Sequence, residues 1–229
     1  MAKKKFYAVR VGKKVGVYTT WAECQQYTKG VSGASFKSFT TMEEAKDFIN
    51  PKSTHTFSDE KDASIIDIFI DGSFEQSLQR YSFGMVVDSD ERVTLNKCFN
   101  DERFLVNRNV SGELLGAMYA FGWILENKKE NVLYRINYDY EGIEKWATSD
   151  WKSNKALTKC YAVISKYVMG LVDIKFNKVP AHSGVELNEV VDQLAKEALA
   201  QPVSKIELGY MDFEEIYDEV ILTVEDEHK

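Results

Sequence analysis

From Ser64 onward the chain alternates between short apolar runs and stretches of helical periodicity. "SIIDIFIDGS" is a near-continuous apolar run ending in a turn, the pattern of a buried strand. "RYSFGMVVD" and "RVTLNKCFN" flank the turn-like "DSDE", which predicts a three-strand meander. "VSGELLGAMYAFGWILENK" carries apolar residues at helical spacing over about five turns. "VLYRINYD" predicts a strand, "YEGIEKWA" and "KALTKCYAVISKYVMG" helices, "VDIKFNKV" a strand, and "NEVVDQLAKEALA" a closing helix. The order βββαβααβα predicts an α/β domain: a mixed sheet covered by helices, over residues 64–200. In the last helix Val190, Val191, Leu194, Ala195 and Ala198 should face a core, and Asp192 sits among them. A carboxylate at that place calls for a chemical reason.

Residues 1–49 read as a separate, small α+β unit. "KKFYAVRV" and "VGVYTT" are strand-like runs joined at "GKK", and "SFKSF" is a third short strand. Thr20-Trp21-Ala22-Glu23 and Thr41-Met42-Glu43-Glu44 are capping-box patterns, each opening a short helix. Residues 50–63, "NPKSTHTFSDEKDA", are polar and predict a linker. Residues 201–229 form an acidic extension in which "EVILTVE" suggests a strand and "MDFEEIYDE" a helical turn. Packing on the preceding domain, mimicry of nucleic acid, docking of a partner and disorder all remain open for it.

Composition narrows the class. Of 229 residues, 44% are hydrophobic and 28% charged, the profile of a globular protein without a membrane span. Arg10 interrupts the apolar stretch of "MAKKKFYAVR" too early for a signal peptide. Cys24, Cys98 and Cys160 have no metal or redox spacing, which suggests reduced thiols and a cytoplasmic protein. The formal charge of −7 hides a gradient: residues 1–50 carry +5, residues 51–200 carry −5 and residues 201–229 carry −7. A basic head on an acidic body suits a polyanion-binding head, although an uneven surface without a partner gives the same count.

Four carboxylates share one placement in this reading. Asp71 lies at the carboxyl side of the first strand of the larger domain, and Asp139 ends the fourth. Glu113 and Asp192 are expected in the first turns of their helices. In open α/β sheets ligands gather outside strand ends and near helix amino termini, so all four acids could converge. Singly, each has a structural explanation as a turn acid, a helix cap or a partner of the helix dipole. Clustered, they repel, and a divalent cation is the usual remedy. An oxygen-only set suits Mg²⁺, with Mn²⁺ as a substitute, and two such ions suit phosphodiester hydrolysis.

The motifs resemble a known family. "FIDGSF", "RNVSGELLGAMYA", "INYDYEGIEKW" and "VPAHSGVELNEVVDQLAKEA" match, in order, the motifs of ribonuclease HI domains. The resemblance implies a mixed five-stranded sheet with flanking helices, with Asp71, Glu113, Asp139 and Asp192 as metal-binding carboxylates. It further implies His182 as a loop histidine assisting proton movement or product departure. Gly72, Ser73 and Asn109 would read the ribose 2′-hydroxyl. Residues 4–49 resemble the hybrid-binding (viroplasmin-like) domain found ahead of such nucleases, which implies Tyr7, Trp21, Phe36 and Lys37 as phosphate and sugar contacts.

Three features depart from these patterns. Tyr138-Asp139-Tyr140 stands where the family writes Thr-Asp-Ser, Ser38 replaces a usual lysine, and "WATSDWKSNKALTKC" lacks a long basic insertion. The expectation is therefore a monomeric Mg²⁺-dependent endoribonuclease. It would cut the RNA strand of RNA–DNA hybrids and leave 5′-phosphate and 3′-hydroxyl ends. Double-stranded RNA is a second ligand for the head. The alternatives are a non-catalytic hybrid or double-stranded RNA binder with a degenerate nuclease domain, and a transposase-like DNA cutter.

Overall fold

The computed structural model describes residues 5–31, 34–49, 64–180 and 185–226. The chain divides into two compact units, Met1–Thr56 and Phe57–Lys229. The expected linker and His182 lie outside the described residues.

The first unit is a three-stranded antiparallel sheet with two helices. Strands β1 (Phe6–Val11), β2 (Gly16–Tyr18) and β3 (Ser35–Phe39) pair in the order β2-β1-β3. Helix α1 (Trp21–Thr28) opens with a complete capping box: Glu23 N–H donates to Thr20 Oγ1, and Thr20 N–H donates to the Glu23 carboxylate, both at 3.2 Å. Thr41 and Glu44 make the same reciprocal pair ahead of α2 (Met42–Ile49). Each box satisfies amide donors that a helix start otherwise leaves open. Ala8, Val9, Cys24 and Ala45 are fully buried in this unit.

The second unit is built on β4 (Ser64–Glu75), β5 (Arg80–Asp88), β6 (Val93–Phe99), β7 (Val132–Tyr138) and β8 (Ile174–Lys178), in the order β6-β5-β4-β7-β8. The β4–β7 and β7–β8 pairs are parallel and the other two antiparallel. Side-chain alternation sends Ile66, Ile68, Ile70, Phe83 and Met85 to one face, under α4 (Asn109–Glu126) and its neighbours. Phe69 and Val86 go to the other face, against Leu187 and Val191 of α7 (Glu186–Ala198). Helix α4 is apolar around nearly its whole circumference and is correspondingly buried. All three cysteines are buried and unpaired. No helix among the described residues is long and apolar enough to cross a membrane.

Several sequence expectations need correction. The strand carrying Asp71 does not end at a turn there. It continues through Gly72 and Ser73 to Glu75, paired with β5 throughout, because β5 supplies an unbroken antiparallel partner. Only the parallel pairing with β7 stops earlier, at Phe69↔Asn137. A short helix, α3 (Glu102–Leu105), precedes α4, and Glu113 falls in the second turn of α4. Asp192 lies mid-helix in α7, not in its first turn. "EVILTVE" is not a strand: it lies within α8 (Phe213–Asp226). Asp212 caps that helix, accepting from the Glu214 and Glu215 amides at 3.0 and 3.2 Å. Helices α5 (Gly142–Ala147) and α6 (Ala156–Met169) form where the periodicity places them.

Helix α7 crosses the sheet closely at Gly84, the register partner of Asp71. A Cβ at Gly84 would collide with the Val191 carbonyl oxygen and lie 2.9 Å from the Ala195 amide nitrogen. Gly84→Ala should therefore cost about 1–3 kcal/mol, because backbone rather than a pliable side chain must move. Urea denaturation measures this, and an unchanged midpoint would contradict so close a crossing.

Candidate active site

Asp71 sits past the last β4–β7 pair, on the strand face shared with Phe69. Asp139 follows the final residue of the neighbouring strand β7. Glu113 reaches the same place from α4. The approach depends on two glycines: a Cβ on Gly112 would collide with the Ser82 carbonyl oxygen, and one on Gly72 would collide with the Glu113 amide nitrogen. Only glycine lets helix and strand backbones come this close. One ligand oxygen from each of Asp71, Glu113 and Asp139 can be chosen so that all lie within 4.8 Å of one another. Asp71 is 8% exposed and Glu113 1%.

The electrostatics follow from that crowding. Burial pushes the Asp71 carboxyl up to about 6, with the charge of Asp139 adding to the effect. Burial pushes Glu113 well above the usual carboxylate range, and Asp71 and Asp139 reinforce it. Gly72 N–H donates to Asp71 Oδ1 at 2.7 Å, which stabilises the charged form in part. Glu113 Oε2 is buried and finds no hydrogen-bond partner among the described residues. An all-oxygen set with a buried, unsatisfied carboxylate oxygen and shared excess negative charge fits a hard divalent cation.

Asp192 lies outside this tight group. Its side chain is 32% exposed and accepts from Lys196 Nζ at 2.6 Å, an i,i+4 pair on α7. Its charge nevertheless contributes to raising Asp71. Of the other expected residues, Gly72 and Ser73 are half-buried on β4 and Asn109 is exposed at the start of α4. Tyr138 is fully buried in the core and donates to Glu144 Oε2 at 2.7 Å, and its departure from the family pattern leaves Asp139 grouped with Asp71 and Glu113. The Tyr140 ring lies 5.9 Å from that of Trp146, and its hydroxyl pKa is raised, first by burial and then by the charge of Glu113.

In the first unit Trp21 stands between Tyr7 and Phe36, with both ring distances 5.7 Å. Trp21 is 47% exposed and Phe36 43%, so these rings form a surface row and not the core of the small domain. Lys37 is exposed beside them, its Nζ 5.7 Å from the Phe39 ring.

Sequence reasoning missed Gly84, Gly112 and Lys196. The first two had a signal: a glycine inside a strand or helix marks a close backbone approach. The third had one in its i,i+4 spacing from Asp192.

A family model described as RNase H matches residues 63–200, and one described as Ribonuclease H1 N-terminal domain matches residues 5–49. A human protein named Ribonuclease H1 is 24% identical over 86% of this chain and 90% of its own length. A Ribonuclease H of Crithidia fasciculata is 47% identical over 47 residues, which are 20% of this chain and only 10% of that protein. A Ribonuclease H of Saccharomyces cerevisiae is 45% identical over 49 residues, 14% of its length. Among solved structures, an RNase H1 from Halobacterium salinarum NRC-1 aligns at a TM-score of 0.49 and 20% identity, covering 59% of this chain and 98% of its own. With more than half of its residues inside the match at 63–200, the chain belongs to the RNase H family.

Proposed function

We propose that the chain is an endoribonuclease that hydrolyses the RNA strand of RNA–DNA hybrids and leaves 5′-phosphate and 3′-hydroxyl ends. The observation that carries this reading is the buried carboxylate group of Asp71, Glu113 and Asp139, at the strand ends of a domain in the RNase H family. Bound there, two Mg²⁺ ions (or Mn²⁺) would offset the carboxylate repulsion and supply the charge neutralisation that in-line phosphodiester hydrolysis needs. Asp71, Glu113 and Asp139 would hold the ions. Asp192 would complete the set, its carboxylate oriented by Lys196 Nζ at 2.6 Å. His182, outside the described residues, is proposed to move a proton, on the strength of the sequence pattern. Gly72, Ser73 and Asn109 border the carboxylates on β4 and α4, where the 2′-hydroxyl of the cut strand would be sensed; that group separates RNA from DNA.

The head is proposed to hold the duplex. Exposed Trp21 and Phe36, with half-buried Tyr7 beside Trp21, offer ring faces for sugars, and Lys37 offers a cation for phosphate. The same surface would accept double-stranded RNA. A degenerate, non-catalytic nuclease domain is disfavoured, because the unusual Tyr138 points into the core and leaves the carboxylates grouped.

The decisive assay compares hybrid, double-stranded RNA and DNA duplex, with Mg²⁺ and with chelator. Only the hybrid with Mg²⁺ should be cut. Glu113→Gln should lower the rate roughly a hundredfold or more. Cutting that survives both chelator and this variant would end the metal-carboxylate reading, and an uncut hybrid in Mg²⁺ would end the nuclease reading.

A second test uses pH. Asp71 titrates at about 6 in the folded chain against an ordinary 3.8, so between those values the native state binds more protons than the unfolded one. Its contribution is thus lost as pH rises through that window. In chelator, Asp71→Asn should stabilise the protein by about 1–3 kcal/mol at pH 7 and much less at pH 4. Melting curves of both proteins across this range check the sign. A variant no more stable than wild type at pH 7 would contradict the crowding.

For the head, Lys37→Ala should weaken hybrid binding and reduce its salt slope by about 1. An unaltered salt slope in a binding titration would remove Lys37 from the contact.

A further inference from the structure

Residues 201–226 lie beyond the RNase H match, yet from Gln201 to Val220 they are anchored to the domain at several points. Val203 bridges Cys98 on the β6 edge, where Ser204 N–H donates to the Cys98 carbonyl at 2.8 Å. Tyr210 packs its ring on Gly122 and donates its hydroxyl to the Met118 carbonyl at 2.9 Å. Leu208, Phe213 and Val220 are buried in the main core.

The end of this segment grips α3. Arg103 donates to both oxygens of Glu214, at 2.6 and 2.7 Å, and also to Asp101. Its guanidinium lies 4.4 Å from the centre of the Tyr217 ring. Phe104, fully buried, meets Phe213 and Tyr217 edge-on at 5.8 and 5.6 Å. A bidentate pair stacked on an aromatic ring is geometrically far more restrictive than an ordinary surface ion pair.

Helix α3 in turn fixes the start of α4. The Phe104 carbonyl accepts from the buried Ser111 hydroxyl at 2.7 Å and from the Asn107 amide at 3.0 Å. Between them Arg108 sits at φ 55°, ψ −131°, a conformation that a residue with a side chain resists. Such a residue persists only where its flanks are fixed from outside. One flank is α3, held by α8. The other is Ser111-Gly112-Glu113, packed on β4 and β5.

We infer that α8 is a latch that positions Glu113, acting through Arg103 and Phe104 on the strained turn before α4. The inference rests on reading Asp71, Glu113 and Asp139 as a metal-holding group. Glu214 and Tyr217 are positioning residues: they touch α3, not the carboxylates.

The test is calorimetric titration of Mg²⁺ alone into the full chain, beside melting curves. Glu214→Gln and Tyr217→Ala should each raise the Mg²⁺ dissociation constant by roughly three- to tenfold. Tyr217→Phe keeps the ring and should bind as wild type does. A contact that served stability alone would lower the melting temperature and leave the dissociation constant of the folded protein unchanged. If Tyr217→Ala fails to fold, Glu214→Gln, an exposed conservative change, decides. Wild-type affinity in every folded variant overturns the latch. No Mg²⁺ binding by wild type, with Glu113→Gln as the control, overturns both the latch and the metal site. Binding without hybrid cleavage overturns the nuclease function and leaves the latch standing.

Discussion

The close approach of two helices to the β4–β5 pair governs the rest of the second unit. Helix α4 closes on one face across Gly72 and Gly112, and α7 closes on the other across Gly84. Two of these contacts flank Asp71 itself: Gly72 follows it in β4, and Gly84 is its register partner in β5. The same contacts that compress the core therefore deliver carboxylates to one point. Burying several like charges costs several kcal/mol each without compensation. Compensation among the described residues is incomplete: one backbone amide serves Asp71, and Glu113 Oε2 finds no hydrogen-bond partner there. The remaining cost favours protonation, so both the Asp71 and Glu113 carboxyls are raised above their usual range. A divalent cation would take the place of those protons.

Much of this was legible beforehand, and the reason is physical. Strand and helix periodicities are local properties, and so are capping boxes, so β4–β8, α4–α7 and both boxes of the first unit follow from residue spacing. What spacing could not give was where pairing stops. The "DGS" stretch reads as a turn because Asp, Gly and Ser favour turns, yet β5 offers an uninterrupted partner and the strand runs on. "EVILTVE" reads as a strand because β-branched residues favour one. Capping by Asp212 and the pocket for Phe213 and Val220 make it helical. In both places tertiary context outweighed local preference. The carboxylates were recognisable as a set, but their unequal standing was not. Asp71, Glu113 and Asp139 crowd together, whereas Asp192 stands apart with Lys196.

A second polar arrangement on the α7 face shows how the parallel strands are aligned beside the site. Arg135 binds Asp67 with two hydrogen bonds of 2.6 Å, and Asn137 donates to Asp67 at 2.7 Å. Asn177 of β8 then donates to Asn137 at 2.6 Å. Burial alone would raise the Asp67 carboxyl, but the hydrogen bonds from Arg135 and Asn137 outweigh it and hold the group below its usual range. Asp67 and Asp71 thus lie on one face of one strand with opposite behaviour. The first has a bidentate cation, and the second has one backbone amide and two neighbouring acids. That contrast distinguishes a structural carboxylate from one left available for chemistry.

The charge gradient gains meaning from the same contrast. An acidic body with crowded, underneutralised carboxylates repels a phosphate backbone at long range, so on the proposed function it gains little by attracting its own substrate. The first 50 residues carry 9 Lys/Arg against 4 Asp/Glu and present an exposed aromatic row. On the proposed function, separating attraction from cutting would let the cutting domain stay acidic enough to hold cations while the head supplies affinity for the duplex.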